Sequence, residues 1–226
     1  EAPTLPRMFW EGVKQMSDSI IIRQKDYGIW QEQTWNELGE CVEEIGLGLI
    51  SLGLKTGEVT SILSNTNQEW VWADLAVLSS GGISNGIYPT DSPEQVEYLL
   101  SDSNSRFVFV EDEEQLDKIL EIRSRLTNLI KIIVFDPEGL RDFSDPDVIS
   151  LKTLREKGKN YGPNGKLLFQ KRITARRPKD LAILVYTSGT TGKPKGAMIS
   201  HKNITSAVKA YQAVLTQDNT DEKMLY

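Results

Sequence analysis

Residues Tyr186-Thr187-Ser188-Gly189-Thr190-Thr191-Gly192-Lys193-Pro194-Lys195-Gly196 combine three glycines, four aliphatic hydroxyls and two lysines, with no acid among them. Glycines let backbone N–H groups approach an oxyanion, hydroxyls donate hydrogen bonds, and lysines supply positive charge. The chemistry this composition suits is the holding of a polyphosphate, such as that of ATP. The apolar run Leu181-Ala182-Ile183-Leu184-Val185 leads straight into it and predicts a buried strand of a parallel sheet. A bland surface loop is the competing reading, but such loops rarely follow a buried strand with this composition.

Two common motifs are excluded by position. A Walker-type loop needs G-x-x-x-x-G-K followed by Ser or Thr. Here Thr187 occupies the first glycine position and Pro194 follows Lys193. A G-x-S-x-G nucleophile elbow fails because Tyr186 stands at its first glycine. Gly46-Leu47-Gly48 resembles the start of a dinucleotide fingerprint, yet Ser51 takes the third glycine position, within a helical pattern. His201, the only histidine, falls at a strand end and is expected to make a structural hydrogen bond there, with Asn203 as a helix cap. Cys41 falls on an apolar helix face and reads as core. Trp70 and Trp72 read as packing, and Glu111–Glu114 as a solvated helix start favoured by the dipole.

The elements that position the loop follow from periodicity. Trp10, Met16, Ile20–Ile22 and Trp30 suggest a short helix and a hairpin. Thr34 and Glu37 have capping-box spacing, and Leu38, Val42, Ile45, Leu49 and Leu52 continue as a helix that Gly53 stops. Val59–Leu63 is a predicted strand, Asn67 or Thr66 caps a helix through Leu78, and Ile83–Tyr88 is a short strand. Ser92 and Pro93 open a helix. A strand follows at Arg106–Val110, a helix at Glu113–Leu126 and a strand at Lys131–Phe135. Residues 137–180 read as an irregular excursion with one short helix near Leu151–Lys157. A strand near Ala197–Ser200 and a helix from Lys202 close the pattern. The alternation predicts an α/β layered fold, a mainly parallel sheet flanked by helices.

Bulk properties narrow the function classes. The net charge of −6 over 226 residues argues against nucleic-acid binding, which wants a basic face. One cysteine and one histidine leave no internal disulfide and no zinc-type cluster. That usage fits a reducing, cytoplasmic setting. No apolar run approaches the ~18 residues of a membrane span.

The 186–196 stretch resembles the signature of the adenylate-forming (AMP-binding) superfamily. Gly86-Ile87-Tyr88-Pro89-Thr90, Phe107–Glu111 and Ile199-Ser200-His201-Lys202-Asn203 are similar to its long- and medium-chain fatty acyl-CoA synthetase branch. The resemblance implies a fatty acid–CoA ligase. ATP activates the carboxylate as an acyl-adenylate, pyrophosphate leaves, and coenzyme A displaces AMP. It further implies that Thr187, Ser188, Gly189, Thr190, Thr191, Gly192 and Lys193 hold the phosphates, with Thr187 reaching Mg²⁺, while Lys195 shapes the loop's end.

The family's adenine, ribose and catalytic motifs are expected beyond Tyr226. Residues 1–226 are therefore expected to be the N-terminal part of the large AMP-binding domain, inactive alone, without that domain's C-terminal half or the small C-terminal domain. Such a portion is expected to expose a sheet edge and to self-associate as a homo-oligomer. A fatty substrate implies peripheral encounter with a membrane. Two other readings stay open: an aryl- or amino-acid-adenylating enzyme, and a non-catalytic α/β scaffold.

Overall fold

A computed structural model describes residues 3–187 and 192–214. The element order is α1 (Leu5–Gln15), β1 (Ile20–Asp26), β2 (Ile29–Thr34), α2 (Trp35–Ser51), β3 (Val59–Leu63), α3 (Gln68–Ser79), β4 (Ile83–Ile87), α4 (Pro93–Asp102) and β5 (Phe107–Val110). Then come α5 (Glu113–Ile122), β6 (Lys131–Val134), β7 (Val148–Ser150), α6 (Leu151–Lys159), α7 (Gly162–Ala175), β8 (Leu181–Thr187), β9 (Lys195–Ser200) and α8 (His201–Val214).

Strands β3 to β9 form one sheet in the order β7-β6-β5-β3-β4-β8-β9, parallel throughout except where β9 turns back antiparallel to β8. Successive side chains of a strand point to opposite faces, so β3, β5 and β6 divide between two cores. Ile62, Phe107, Phe109 and Ile133 pack with Val42, Ile45 and Leu49 of α2, Ala73 and Val77 of α3, and Leu154 of α6. Leu63, Val108, Val110, Ile132 and Val134 pack with Val96, Leu99 and Leu100 of α4 and Leu116 and Ile119 of α5. The result is a doubly covered α/β sheet, as the alternation of elements implies. The β1–β2 hairpin stands apart as its own two-stranded sheet. It is tied to the body by a Trp72 Nε1 hydrogen bond to Gln33 Oε1 of 2.9 Å.

Helix starts follow local chemistry. Thr34 and Glu37 form a reciprocal capping box, and so do Ser92 and Gln95, while Asn67 caps α3 through the Trp70 N–H. Gly53 ends α2 with a φ of +98°, the left-handed conformation that glycine adopts without steric cost.

Four expectations are corrected. The stretch 137–180 is more ordered than its composition suggests, holding β7 and the 14-residue α7 besides α6. Pro163 sits in the first turn of α7, where a missing N–H costs nothing. Phe169 and Ile173, one turn apart, bury its inner face. The helix after Glu113 ends at Ile122, and a 3₁₀ turn carries Arg123–Arg125. Strand β8 is parallel to β4 as expected, but only Ala182 is fully buried, and Val185 is 43% exposed. Finally, Glu111 is no solvated helix-start acid. Its Oε2 accepts from the Asn65 N–H at 2.7 Å and Asn65 Nδ2 at 2.9 Å, which clasps the end of β5 to the end of β3.

Candidate functional site: the roots of the glycine-rich loop

The loop joins β8 to β9, so its two ends are paired strands. Thr187 lies opposite Lys195, and Tyr186 opposite Gly196. Ser188, Gly189, Thr190 and Thr191 lie outside the described residues. Thr187, Gly192 and Lys193 are all exposed at the mouth.

The glycines divide by role. Gly192 has a φ of +102° and, among the described residues, nothing within 4 Å of the point where a Cβ would stand. That combination suits backbone turned toward a ligand. Gly196 serves packing instead, since a Cβ there would sit 3.1 Å from Cζ of Tyr186. Not every glycine of the motif is therefore open to a ligand.

Helix α4 holds both roots of the loop. Tyr186 Oη donates to Asp102 Oδ2 at 2.7 Å. Tyr98 Oη donates to the Pro194 carbonyl at 2.8 Å. The two rings meet edge to face at 6.5 Å, a favoured aromatic geometry. The Lys193 ammonium lies 4.8 Å from the centre of the Tyr98 ring, within cation–π range. Burial and the Asp102 carboxylate push the Tyr186 phenol well above its ordinary value, so it stays a protonated donor. Tyr98 and Asp102 carry no signal in the sequence. Tyr98 stands 96 residues from Pro194, and only their shared helical face, at i and i+4, hints at joint action.

His201 is far from this chemistry. Ser200 pairs with Leu181, so the histidine adjoins the opposite end of β8, roughly 20 Å from the loop at the usual rise per strand residue. It is fully buried, and neither ring nitrogen finds a partner among the described residues. Its backbone N–H bonds to the Asp180 carbonyl at 3.1 Å. The structural hydrogen bond at this turn is therefore made by the backbone, and none is made by the ring among the described residues. Burial, reinforced by the Arg176 guanidinium, pushes its pKa down to about 4 against a smaller pull from Asp180. Asn203 does not cap α8. Ser200 does, accepting from the Asn203 N–H at 3.3 Å, while Asn203 Oδ1 accepts from the Ser200 N–H at 2.9 Å. Cys41 is buried, as its pattern implies.

The described roots of the loop offer a hydroxyl at Thr187, an exposed glycine backbone at Gly192 and an ammonium at Lys193. No group of three or more His, Cys, Asp or Glu side chains gathers anywhere among the described residues, so they build no all-protein metal cage. An exposed Gly192 backbone and the Lys193 ammonium, in a stretch whose sequence is rich in hydroxyls, fit a nucleoside triphosphate. A magnesium ion there would be carried mainly by phosphate oxygens and water.

Comparison with known proteins places this geometry. The family model of AMP-binding enzymes matches residues 9–226. The long-chain-fatty-acid–CoA ligase ACSBG2 of Xenopus laevis is 32% identical over 219 residues, covering 96% of this chain and 29% of that protein. The long-chain-fatty-acid–CoA ligase FadD15 of Mycobacterium bovis is 31% identical, covering 94% of this chain and 34% of that protein. The chain thus spans about a third of the length of these relatives. Among solved structures, the fatty acyl-adenylate ligase of L. pneumophila, determined with acyl adenylate and pyrophosphate, superposes with a TM-score of 0.70 at 19% identity, over 96% of this chain and 33% of that one. A match over nearly the whole chain, together with the shared fold, makes this chain a member of the AMP-binding enzyme family.

Proposed function

We propose that the chain is the N-terminal portion of the large domain of an ATP-dependent long-chain fatty acid–CoA ligase. The observation that carries this reading is the pairing of an open, left-handed Gly192 with the Lys193 ammonium at one root of the β8–β9 loop. The identities of 32% and 31% to long-chain-fatty-acid–CoA ligases favour a fatty acid as the carboxylate.

In this reading ATP supplies an electrophilic α-phosphorus and a pyrophosphate leaving group to the fatty carboxylate, and the coenzyme A thiol later displaces AMP from the acyl-adenylate. The chain's own residues hold the leaving end. Thr187, Ser188, Thr190 and Thr191 donate hydroxyl hydrogen bonds, Gly189 and Gly192 bring backbone N–H groups close, and Lys193 offsets charge. One lysine ~4 Å from a phosphate contributes only about 4 kcal/mol at an effective dielectric near 20, before desolvation and screening. The array of donors must therefore share the work. Thr187, at the strand end, is the hydroxyl assigned to Mg²⁺. A fatty acid partitions into bilayers, so the enzyme meets its substrate peripherally, from the cytoplasmic side. Among the described residues no helix is long and apolar enough to cross a membrane.

The test is ATP–pyrophosphate exchange dependent on the acid. The 226-residue chain is compared with a longer polypeptide that continues it, using fatty acids of graded length and an aryl acid. Exchange by the longer form with fatty acids alone is expected. Exchange driven only by the aryl acid overturns the substrate, and exchange by the 226-residue chain overturns its assignment as an incomplete portion.

A further inference from the structure

We propose that Tyr98 is a positioning residue for phosphate binding, acting through Lys193. The inference rests on the phosphate-holding role of the loop and adds a residue outside it. Three contacts carry it. The Tyr98 hydroxyl holds the Pro194 carbonyl at 2.8 Å. The ring of the same residue lies under the Lys193 ammonium at 4.8 Å. Tyr186, on the other root of the loop, sets that ring's orientation from the edge and is itself held by Asp102 at 2.7 Å.

Each contact restricts a different freedom. Proline has a locked φ, so a carbonyl tethered at Pro194 limits the backbone immediately after Lys193. An ammonium has three donors, and resting on a π face uses the electrostatic attraction of the ring without consuming them all. The lysine can therefore face a phosphate while still in contact with the ring. A lysine side chain free in solvent loses much rotamer entropy when it is immobilised. One already placed by a ring loses less, and that difference appears as affinity. Tyr98 and Asp102 lie one turn apart on α4, so one rigid helix spaces both roots of the loop.

The experiment is calorimetric titration of this chain with inorganic tripolyphosphate. Tyr98→Leu, which removes ring and hydroxyl together, is expected to weaken binding roughly two- to fivefold, the range of a cation–π contact near the surface. Tyr98→Phe keeps the ring and is expected to recover most of that loss. In a Lys193→Ala background, itself weaker than wild type, Tyr98→Leu is expected to add nothing, which a merely structural role would not produce.

Unchanged affinity in Tyr98→Leu overturns the proposal, and so does an equal loss in both backgrounds. If Tyr98→Leu does not fold, proton NMR of the wild-type chain decides. The Lys193 ε-methylene must show an upfield ring-current shift that responds to tripolyphosphate, and its absence overturns the positioning role. A wild-type chain that binds no tripolyphosphate overturns the phosphate reading as well. A wild-type chain weakened by Lys193→Ala but indifferent to Tyr98 removes the positioning role alone.

Discussion

Phe169 of α7 fills the notch that Gly46 leaves in α2: a Cβ at Gly46 would fall 2.5 Å from Cε2 of the ring. Gly158 in α6 comes closer still, where a Cβ would stand 1.8 Å from the Glu44 carbonyl oxygen. Alanine in place of a helical glycine gains up to about 1 kcal/mol of propensity, so the sign of each substitution reports how close the packing is. Gly46→Ala meets a side chain that can shift and is expected to cost about 1–3 kcal/mol, the usual range for overpacking. Gly158→Ala meets backbone and is expected to cost more. Urea denaturation of the two variants checks the order, and a Gly158→Ala protein as stable as wild type would sink it.

The same pair shows what the sequence made legible. Gly46-Leu47-Gly48 could be rejected as a nucleotide motif because Ser51 takes the third glycine position and the run lies inside a helical pattern. Its actual role needed α7 in place. That helix was obscured by Gly162, Pro163 and Gly165, residues that usually break helices but here sit in its first turn. Strand β5 was plain because both of its faces are buried, leaving the unbroken apolar run Phe107–Val110, and β6 follows Lys131 with the apolar Ile132, Ile133 and Val134. The family was legible from the loop because its residues are contiguous in sequence. The grip of Tyr98 and Asp102 was not, because it joins residues far apart in sequence and depends on how α4 lies along the sheet.

Two groups shielded from water titrate in opposite senses. Burial raises the Asp74 pKa to about 6 despite the nearby Ser84 hydroxyl, and its Oδ1 has no partner among the described residues. The folded state therefore holds that proton more tightly than the unfolded state. Its contribution to stability is full below an ordinary carboxyl pKa and is lost as pH rises through about 6. His201 runs the other way. Its folded pKa of about 4 lies below the ordinary 6.5, so its contribution is full above 6.5 and is lost as pH falls through about 4. Asp74→Asn is expected to stabilise the protein at neutral pH by about 1–3 kcal/mol, a gain that vanishes on acidification. His201→Met is expected to remove a loss of roughly 2–3 kcal/mol on the acid side. Denaturant melts of the two single variants from neutral to acid pH separate the contributions.

The β8–β9 ribbon presents apolar groups on both faces, with Val185 43% and Met198 71% exposed. Since β9 is the edge of the sheet, the isolated chain is expected to self-associate at high concentration through this region. Sedimentation velocity across a concentration series reads it. Met198→Lys is expected to shift the population toward monomer, and a wild-type chain that stays monomeric throughout removes the expectation.

The ribbon's attachment has a dynamic consequence. Strand β8 pairs with β9 along its whole length but with β4 only at Ser84–Ile183 and Asn85–Leu184. So short a seam makes the ribbon a cooperative unit of its own, separable from the inner strands at less than the global free energy of unfolding. Amide hydrogen exchange is expected to show β8 and β9 opening together, ahead of β3 and β5, with Asp102 and Tyr98 variants widening the gap. Equal protection across all four strands would deny the ribbon that independence. A strand pair that hinges on two residue pairs lets the ribbon ride as a single lever, moved by whatever presses on β8 and β9 while the sheet behind it stays still.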